Sequence, residues 1–246
     1  MKGCELLLYL LSILAYAFMI TMNLLAHALP INGQTTSEVS NKLNVLFTPA
    51  GYVFMIWGLI YLMLAIWLMR QGFPSKRNLP IYKKIYPIFI LSSLLNGIWI
   101  VTWHYELFLL SIIIIVSLLI TLIVLYRNLN ISGIKIDMAT FSIYLGWVSV
   151  ATIANISYYL TYINWNGWGL SNTIWTIIML SVAMVIAIYI LVKYHDWLYP
   201  LVFVWAIIGI AIRNMDQYYL VTFTAFVYSF VLFLLTIILS IRRKPL

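Results

Sequence analysis

The groups that could do acid–base, metal or nucleophilic chemistry are few: six carboxylates, three histidines and one cysteine in 246 residues. Glu5, Glu38, Glu106, Asp137, Asp196 and Asp216 all fall at the ends of apolar stretches or between them. No carboxylate, lysine or arginine lies in the middle of such a stretch, where ion- and proton-coupled pumps carry theirs. His27, His104 and His195 also sit near boundaries and lack HExxH or paired-ligand spacing. Cys4 alone excludes an intramolecular disulfide, a cysteine-rich metal site and a CxxC redox centre. No nucleophile–base pair stands out. We therefore assign no catalytic and no metal-binding residue and expect a protein that is not an enzyme and needs no cofactor.

Binding chemistry is better represented. Asn23, Asn96 and Asn155 lie inside apolar stretches, where an unpaired amide costs several kcal/mol and must meet a helix, a water or a ligand. At helical spacing Asn96 shares a face with Trp99 and Trp103, and Asn155 shares one with Trp147, Ala151, Ala154 and Tyr158. Phe54, Trp57, Gly58, Tyr61 and Ala65 line up in the same way. Three aromatic faces at one depth, two of them carrying an amide, suit a hydrophobic small-molecule pocket. They suit helix packing or a homodimer contact as well. The candidate ligand-binding residues are Phe54, Trp57, Tyr61, Asn96, Trp99, Trp147, Ala151 and Asn155.

The elements that must position them are membrane helices. The chain is 65% hydrophobic and 8% charged, more apolar surface than a soluble domain can hide. Apolar segments fall at about 5–28, 50–69, 83–104, 107–126, 138–163, 173–193, 197–212 and 217–241. Most are near the ~20 residues that cross a bilayer core, and 197–212 is the shortest. Thr48 and Pro49 read as N-cap and first residue of the second span. The first run, Leu6–Leu25, exceeds a signal-peptide core, so we read it as a retained helix despite the Ala26-His27-Ala28 pattern. The expected fold is all-α: a polytopic bundle of about eight transmembrane helices.

Charge placement orients the bundle. Eight spans put Lys2, Arg70, Lys76, Arg77, Lys83, Lys84, Arg127, Lys135, Lys193, Arg242, Arg243 and Lys244 on one side, twelve of the 14 basic residues. Only Lys42 and Arg213 lie opposite. The positive-inside rule makes the rich side cytoplasmic, with both termini there, in a multi-pass protein of the cell membrane. The net charge of +8 is then a topology signal with membrane lipid as partner, and no nucleic-acid partner is implied. Tyr162, Trp165, Trp168, Tyr194, Trp197 and Tyr199 read as interfacial belt residues, and Ser171-Asn172 as a helix cap.

Three segments carry a family resemblance. Phe47-Thr-Pro-Ala-Gly-Tyr-Val-Phe-Met-Ile-Trp-Gly-Leu-Ile-Tyr61 resembles the F-T-P-P-G-W-V-F-x-x-W-x-x-L-Y signature of the translocator-protein family, the TspO/MBR or tryptophan-rich sensory proteins. Leu95-Asn-Gly-Ile-Trp99 resembles its third-helix L-N-x-x-W element, and Tyr144–Asn155 its fifth-helix segment. Ala50 and Tyr52 stand where the family has Pro and Trp, and residues 29–48 lack the family's first-loop Trp-Tyr pair. The resemblance implies a five-helix core over residues 1–165, with 166–246 as a three-helix extension like that of a longer bacterial branch. It also implies a pocket for a porphyrin, another tetrapyrrole or a lipid-like molecule. There Trp57 and Trp147 would be aromatic walls, Asn96 a hydrogen-bonding group and Ala151 room for the ligand, with the first loop above. A sensor or receptor is the leading expectation. The alternatives are a permease for a neutral or amphipathic solute and a membrane enzyme acting on an isoprenoid or tetrapyrrole.

Overall fold

The computed structural model describes residues 2–28, 31–132 and 134–241. Arg242, Arg243 and Lys244, and the side chains of Lys2, His27 and Ala28, lie outside the described residues. The helices are α1 (Lys2–Ala28), α2 (Thr36–Asn41), α3 (Ile56–Gln71), α4 (Pro74–Arg77), α5 (Pro80–His104), α6 (Phe108–Ser132), α7 (Lys135–Tyr162), α8 (Asn172–Tyr194), α9 (Leu198–Asn214) and α10 (Tyr219–Ile241). No strand occurs among the described residues. Seven of the described helical segments are long and apolar enough to cross a membrane, and α9 is a shorter apolar helix. At 1.5 Å per residue its 17 residues span ~26 Å, within reach of a bilayer core. Each of the eight expected segments contains one of these helices. Leu14, Leu62, Ile113, Val185 and Phe230 expose more than half of their surface, which suits a lipid solvent and not water.

The chain forms two compact units, Met1–Val39 with Trp57–Val148, and Ser40–Ile56 with Ser149–Leu246. In the first unit α5 packs against α1 and α6. Gly97 permits the α1 contact: a Cβ there would come within 2.4 Å of Phe18 Cε1. Tyr16 on α1 also donates a hydrogen bond to the Tyr61 carbonyl on α3 at 2.9 Å. At one end of the unit Asp137, fully buried, pairs with Arg70 at 2.6 Å and accepts a hydrogen bond from the Tyr82 hydroxyl. This joins the C-terminal end of α3 to the first turns of α5 and α7. Beside it Trp67 packs against Tyr82, Tyr86, Phe89 and Phe141, with ring centroids 4.8–6.2 Å apart. Lys83 pairs with Glu5 at 2.9 Å. The acids do sit at helix ends, as their sequence positions indicate, but Asp137 is enclosed there, not solvated.

In the second unit α9 and α10 pack along each other, and α8 packs against both. Here the sequence expectation for the start of the second span is corrected. Thr48 and Pro49 do not open a helix. Ala50 is extended (φ −57°, ψ 148°) and is followed by a 3₁₀ turn, Gly51–Met55; the α-helix begins at Ile56. The tertiary reason is that the Ala50 amide donates to the Gly209 carbonyl at 3.1 Å, while the Thr48 amide closes a local turn on the Val45 carbonyl at 3.0 Å. Gly209 allows this approach, because a Cβ on it would lie 2.2 Å from Val53 Cγ2. Trp205 Nε1 donates to the Val53 carbonyl at 3.1 Å, and Asn214 Nδ2 to the Leu46 carbonyl at 2.9 Å. Segment 46–53 is thus stitched to α9.

The first loop is ordered by local chemistry. Thr35 and Glu38 form a capping box at the start of α2: the Glu38 carboxylate accepts from the Thr35 amide and hydroxyl at 2.6 and 2.9 Å, and the Thr35 hydroxyl accepts from the Glu38 amide at 3.2 Å. The hydrogen bonds from Thr35 hold the Glu38 carboxyl below its usual range, so the cap strengthens α2 above the unfolded carboxyl pKa and is lost as pH falls through the folded one. Asn32 and Gln34 each donate to the His104 carbonyl at 3.1 Å, and Gln34 also donates to Glu106. The first half of the loop is therefore fastened to the end of α5.

Removing Arg70 leaves Asp137 buried without its counter-charge. Arg70→Ala is expected to lower stability by ~3 kcal/mol, the low end for a broken buried pair because Arg70 is partly exposed. Tyr82→Phe costs less, ~1–2 kcal/mol. Unfolding of the purified protein in a denaturing-detergent titration checks both, and parent-like midpoints in both variants contradict the assignment.

Candidate functional site

The buried face of α3 is Trp57, Ile60, Leu64, Trp67 and Gln71, with Tyr61 half-buried beside it. Gly58, grouped with this stripe from sequence, is exposed with no neighbour within 4 Å of the position a Cβ would take. It lies on the outer side of the helix, 100° round from Trp57. On α5, Asn96, Trp99 and Trp103 are all buried on one face, as their spacing indicates. On α7 every residue from 141 to 150 is buried, so this helix is surrounded along ten residues.

These faces meet at Trp57. Its indole stacks on Tyr61 (ring centroids 5.6 Å apart, 17° between planes) and lies 6.0 Å from Trp99. Tyr144 and Trp147 present their rings roughly edge-on at 6.2 and 6.1 Å. Trp103 continues the row from Trp99 at 6.4 Å and packs on Phe108 at 5.3 Å. Edge-to-face and offset pairs contribute ~0.5–1.5 kcal/mol each beyond the area they bury. The Tyr61 hydroxyl and the Trp99 indole nitrogen in this cluster are buried without a hydrogen-bond partner among the described residues. Unsatisfied donors at this depth are costly in isolation. They are the groups a ligand could satisfy.

Asn96 has a defined structural partner set. Asn23 Nδ2 donates to Asn96 Oδ1 at 2.9 Å, and Asn96 Nδ2 donates to the Tyr144 hydroxyl at 3.0 Å. Tyr144 in turn donates to Met19 Sδ at 4.0 Å, while Asn23 also donates to the Met19 carbonyl at 2.9 Å. A buried relay thus joins α1, α5 and α7, and it sets the Tyr144 ring against Trp57. An amide carries two N–H groups and two acceptor lone pairs, so these contacts leave one of each on Asn96. Tyr144 was outside the sequence-selected set, although it stands three residues before Trp147 on the same face.

Of the eight selected residues, the structure brings together Trp57, Tyr61, Trp99 and Trp147 in ring contact, with Asn96 joined to them through Tyr144. Phe54, Ala151 and Asn155 belong to the second compact unit: Phe54 is half-buried in the 3₁₀ turn, Ala151 half-buried and Asn155 buried. The buried Asp137–Arg70–Tyr82 triad escaped sequence reading because its members are dispersed along the chain, and each alone resembles a boundary residue.

Tyr144→Phe removes the acceptor for Asn96 and the donor to Met19. A loss of ~1–2 kcal/mol is expected, with retained helicity, measured as the unfolding midpoint. Asn23→Ala should cost a similar amount. If neither changes the midpoint, the relay does not hold the helices.

The chain matches the family described as TSPO-like protein over residues 9–238. No curated protein and no solved structure matches it. The family match runs from α1 into α10, taking in all three motif segments and the helices after residue 165. With Trp57, Asn96, Tyr144 and Trp147 from those motifs packed into one buried cluster, the chain belongs to the TSPO-like family and is a multi-helix membrane protein of the sensory or translocator type.

Proposed function

We propose that the Trp57 cluster is one wall of a binding site for a flat hydrophobic molecule, a porphyrin or other tetrapyrrole or a lipid-like compound, and that the protein acts as a receptor or sensor. The observation that carries this reading is the convergence of four aromatic rings on Trp57 beside the partnerless Tyr61 hydroxyl and Trp99 N–H. Apolar walls supply most of the affinity of such a site, and a few placed polar groups fix the ligand's orientation. Asn96 contributes its uncommitted N–H or lone pair. Binding alone meets this role, and no catalytic group is assigned.

The Lys and Arg distribution supports a cell-membrane protein with both termini cytoplasmic. In a Cys4→Ser background, a cysteine at position 76 is expected to react with an impermeant thiol reagent only after the cytoplasmic face is opened. One at position 42 should react in intact cells. The reverse pattern contradicts the orientation.

Absorbance titration of the purified protein with haem or protoporphyrin tests the site. Trp57→Ala and Asn96→Ala should each weaken binding by about tenfold or more, equivalent to ~1.4 kcal/mol, while keeping the parent's helical circular dichroism. Unchanged affinity in both folded variants removes the assignment.

A further inference from the structure

The second compact unit holds a cavity of about 300 Å³ between residues 44–47, the last two turns of α7, loop 164–167 and the start of α8. It is separate from the Trp57 cluster in residue content and includes α8, outside the three motif segments. We propose that this cavity is a second ligand site, taking the neutral, hydroxyl-rich headgroup of a glycoside.

The lining chemistry selects that class. No lining side chain is charged. A phosphate or carboxylate would find no lysine or arginine there and a cation no carboxylate, and an unpaired charge is costly to desolvate. The hydroxyls have already spent their protons: Ser157 donates to the Ile153 carbonyl at 2.9 Å, Thr161 to Ser157 at 3.0 Å and Thr176 to Asn172 at 2.8 Å. Asn44 Nδ2 gives one of its two N–H groups to the Tyr218 hydroxyl at 2.9 Å. The hydroxyls therefore offer the cavity lone pairs, while the amides of Asn44, Asn164 and Asn172 carry both N–H donors and carbonyl acceptors, so the matching ligand carries several O–H groups, which donate and accept.

The remaining wall is aromatic. Trp165 and Trp175 lie 4.9 Å apart between centroids, and the Trp175 indole N–H is committed to the Gly167 carbonyl at 2.7 Å. Trp175 therefore presents ring surface, and Trp165 adds a second ring beside it, suited to the C–H face of a sugar ring. Trp168, 77% exposed, packs on both at 5.4 and 5.6 Å. Sequence position alone marked Trp165 and Trp168 as belt residues; the structure gathers them with Trp175 beside a cavity. The volume is at the small end of ligand pockets, roughly 300–1,000 Å³, which suits one sugar ring.

The test uses the full chain in phosphatidylcholine nanodiscs, read by tryptophan emission and saturation-transfer NMR. The probes are free glucose and a monoglucosyl diacylglycerol, with choline as the cationic comparison. A saturable response to the glycolipid alone identifies a membrane source, and a response to glucose as well identifies a soluble saccharide; either supports the site. Ser157→Phe, which fills the cavity, should weaken that binding by about tenfold, and Asn172→Ala, an exposed position with no side-chain partner to lose, by about threefold. No saturable response to either glycoside, a response to choline alone, or parent-like binding in folded Asn172→Ala and Ser157→Phe overturns the proposal.

Discussion

Asn96 is a neutral amide fixed at the meeting of three helices, and the geometry of the aromatic cluster depends on how it is satisfied. In a hydrocarbon interior a primary amide has few partners, and each group left unpaired costs several kcal/mol. The chain supplies Asn23 from α1 and Tyr144 from α7, so satisfying the amide also sets the rotation of both helices about α5. The Tyr144 side chain that accepts this bond also presents its ring to Trp57. A single polar requirement thereby also places the Tyr144 ring in the aromatic cluster.

The Asp137–Arg70–Tyr82 triad plays a comparable part at the other end of the first unit. Membrane helices gain little from apolar burial against one another, because lipid is as apolar as leucine. Polar and small-residue contacts then decide which faces meet. The relay at Asn96, the ion pair at Asp137 and the close approach at Gly97 all act within α1, α3, α5 and α7. In the second unit Gly209 and Asn214 do the equivalent work, drawing the 3₁₀ turn and its preceding segment onto α9.

What was legible in the sequence follows from the range of the forces involved. Helices were plain because twenty-residue apolar runs can satisfy their backbone in lipid only as helices. The buried stripe Asn96–Trp99–Trp103 was legible because helical spacing is local. The start of α3 was not. Thr48-Pro49 is a good cap by local rules, and the Gly209 carbonyl, 159 residues ahead of Ala50 in sequence, diverts the backbone. Gly58 misled for a related reason: a small residue next to an aromatic stripe signals close packing only if a neighbour arrives on that side, and none does. Tyr144 and Tyr61 show the opposite case, where a hydroxyl's importance rests on what other helices bring, or fail to bring, within reach.

The central claim is that the Trp57 cluster receives a ligand, with the Trp99 indole N–H as a donor awaiting an acceptor. Nitrogen-15 labelling of tryptophan side chains, with the Trp99 resonance assigned by its disappearance in Trp99→Phe, gives a direct reading in the folded protein. Addition of haem or protoporphyrin is predicted to shift the Trp99 and Trp57 indole signals saturably and to leave that of Trp165 in place. Resonances of Trp57 and Trp99 that stay fixed through a saturating titration would contradict the account.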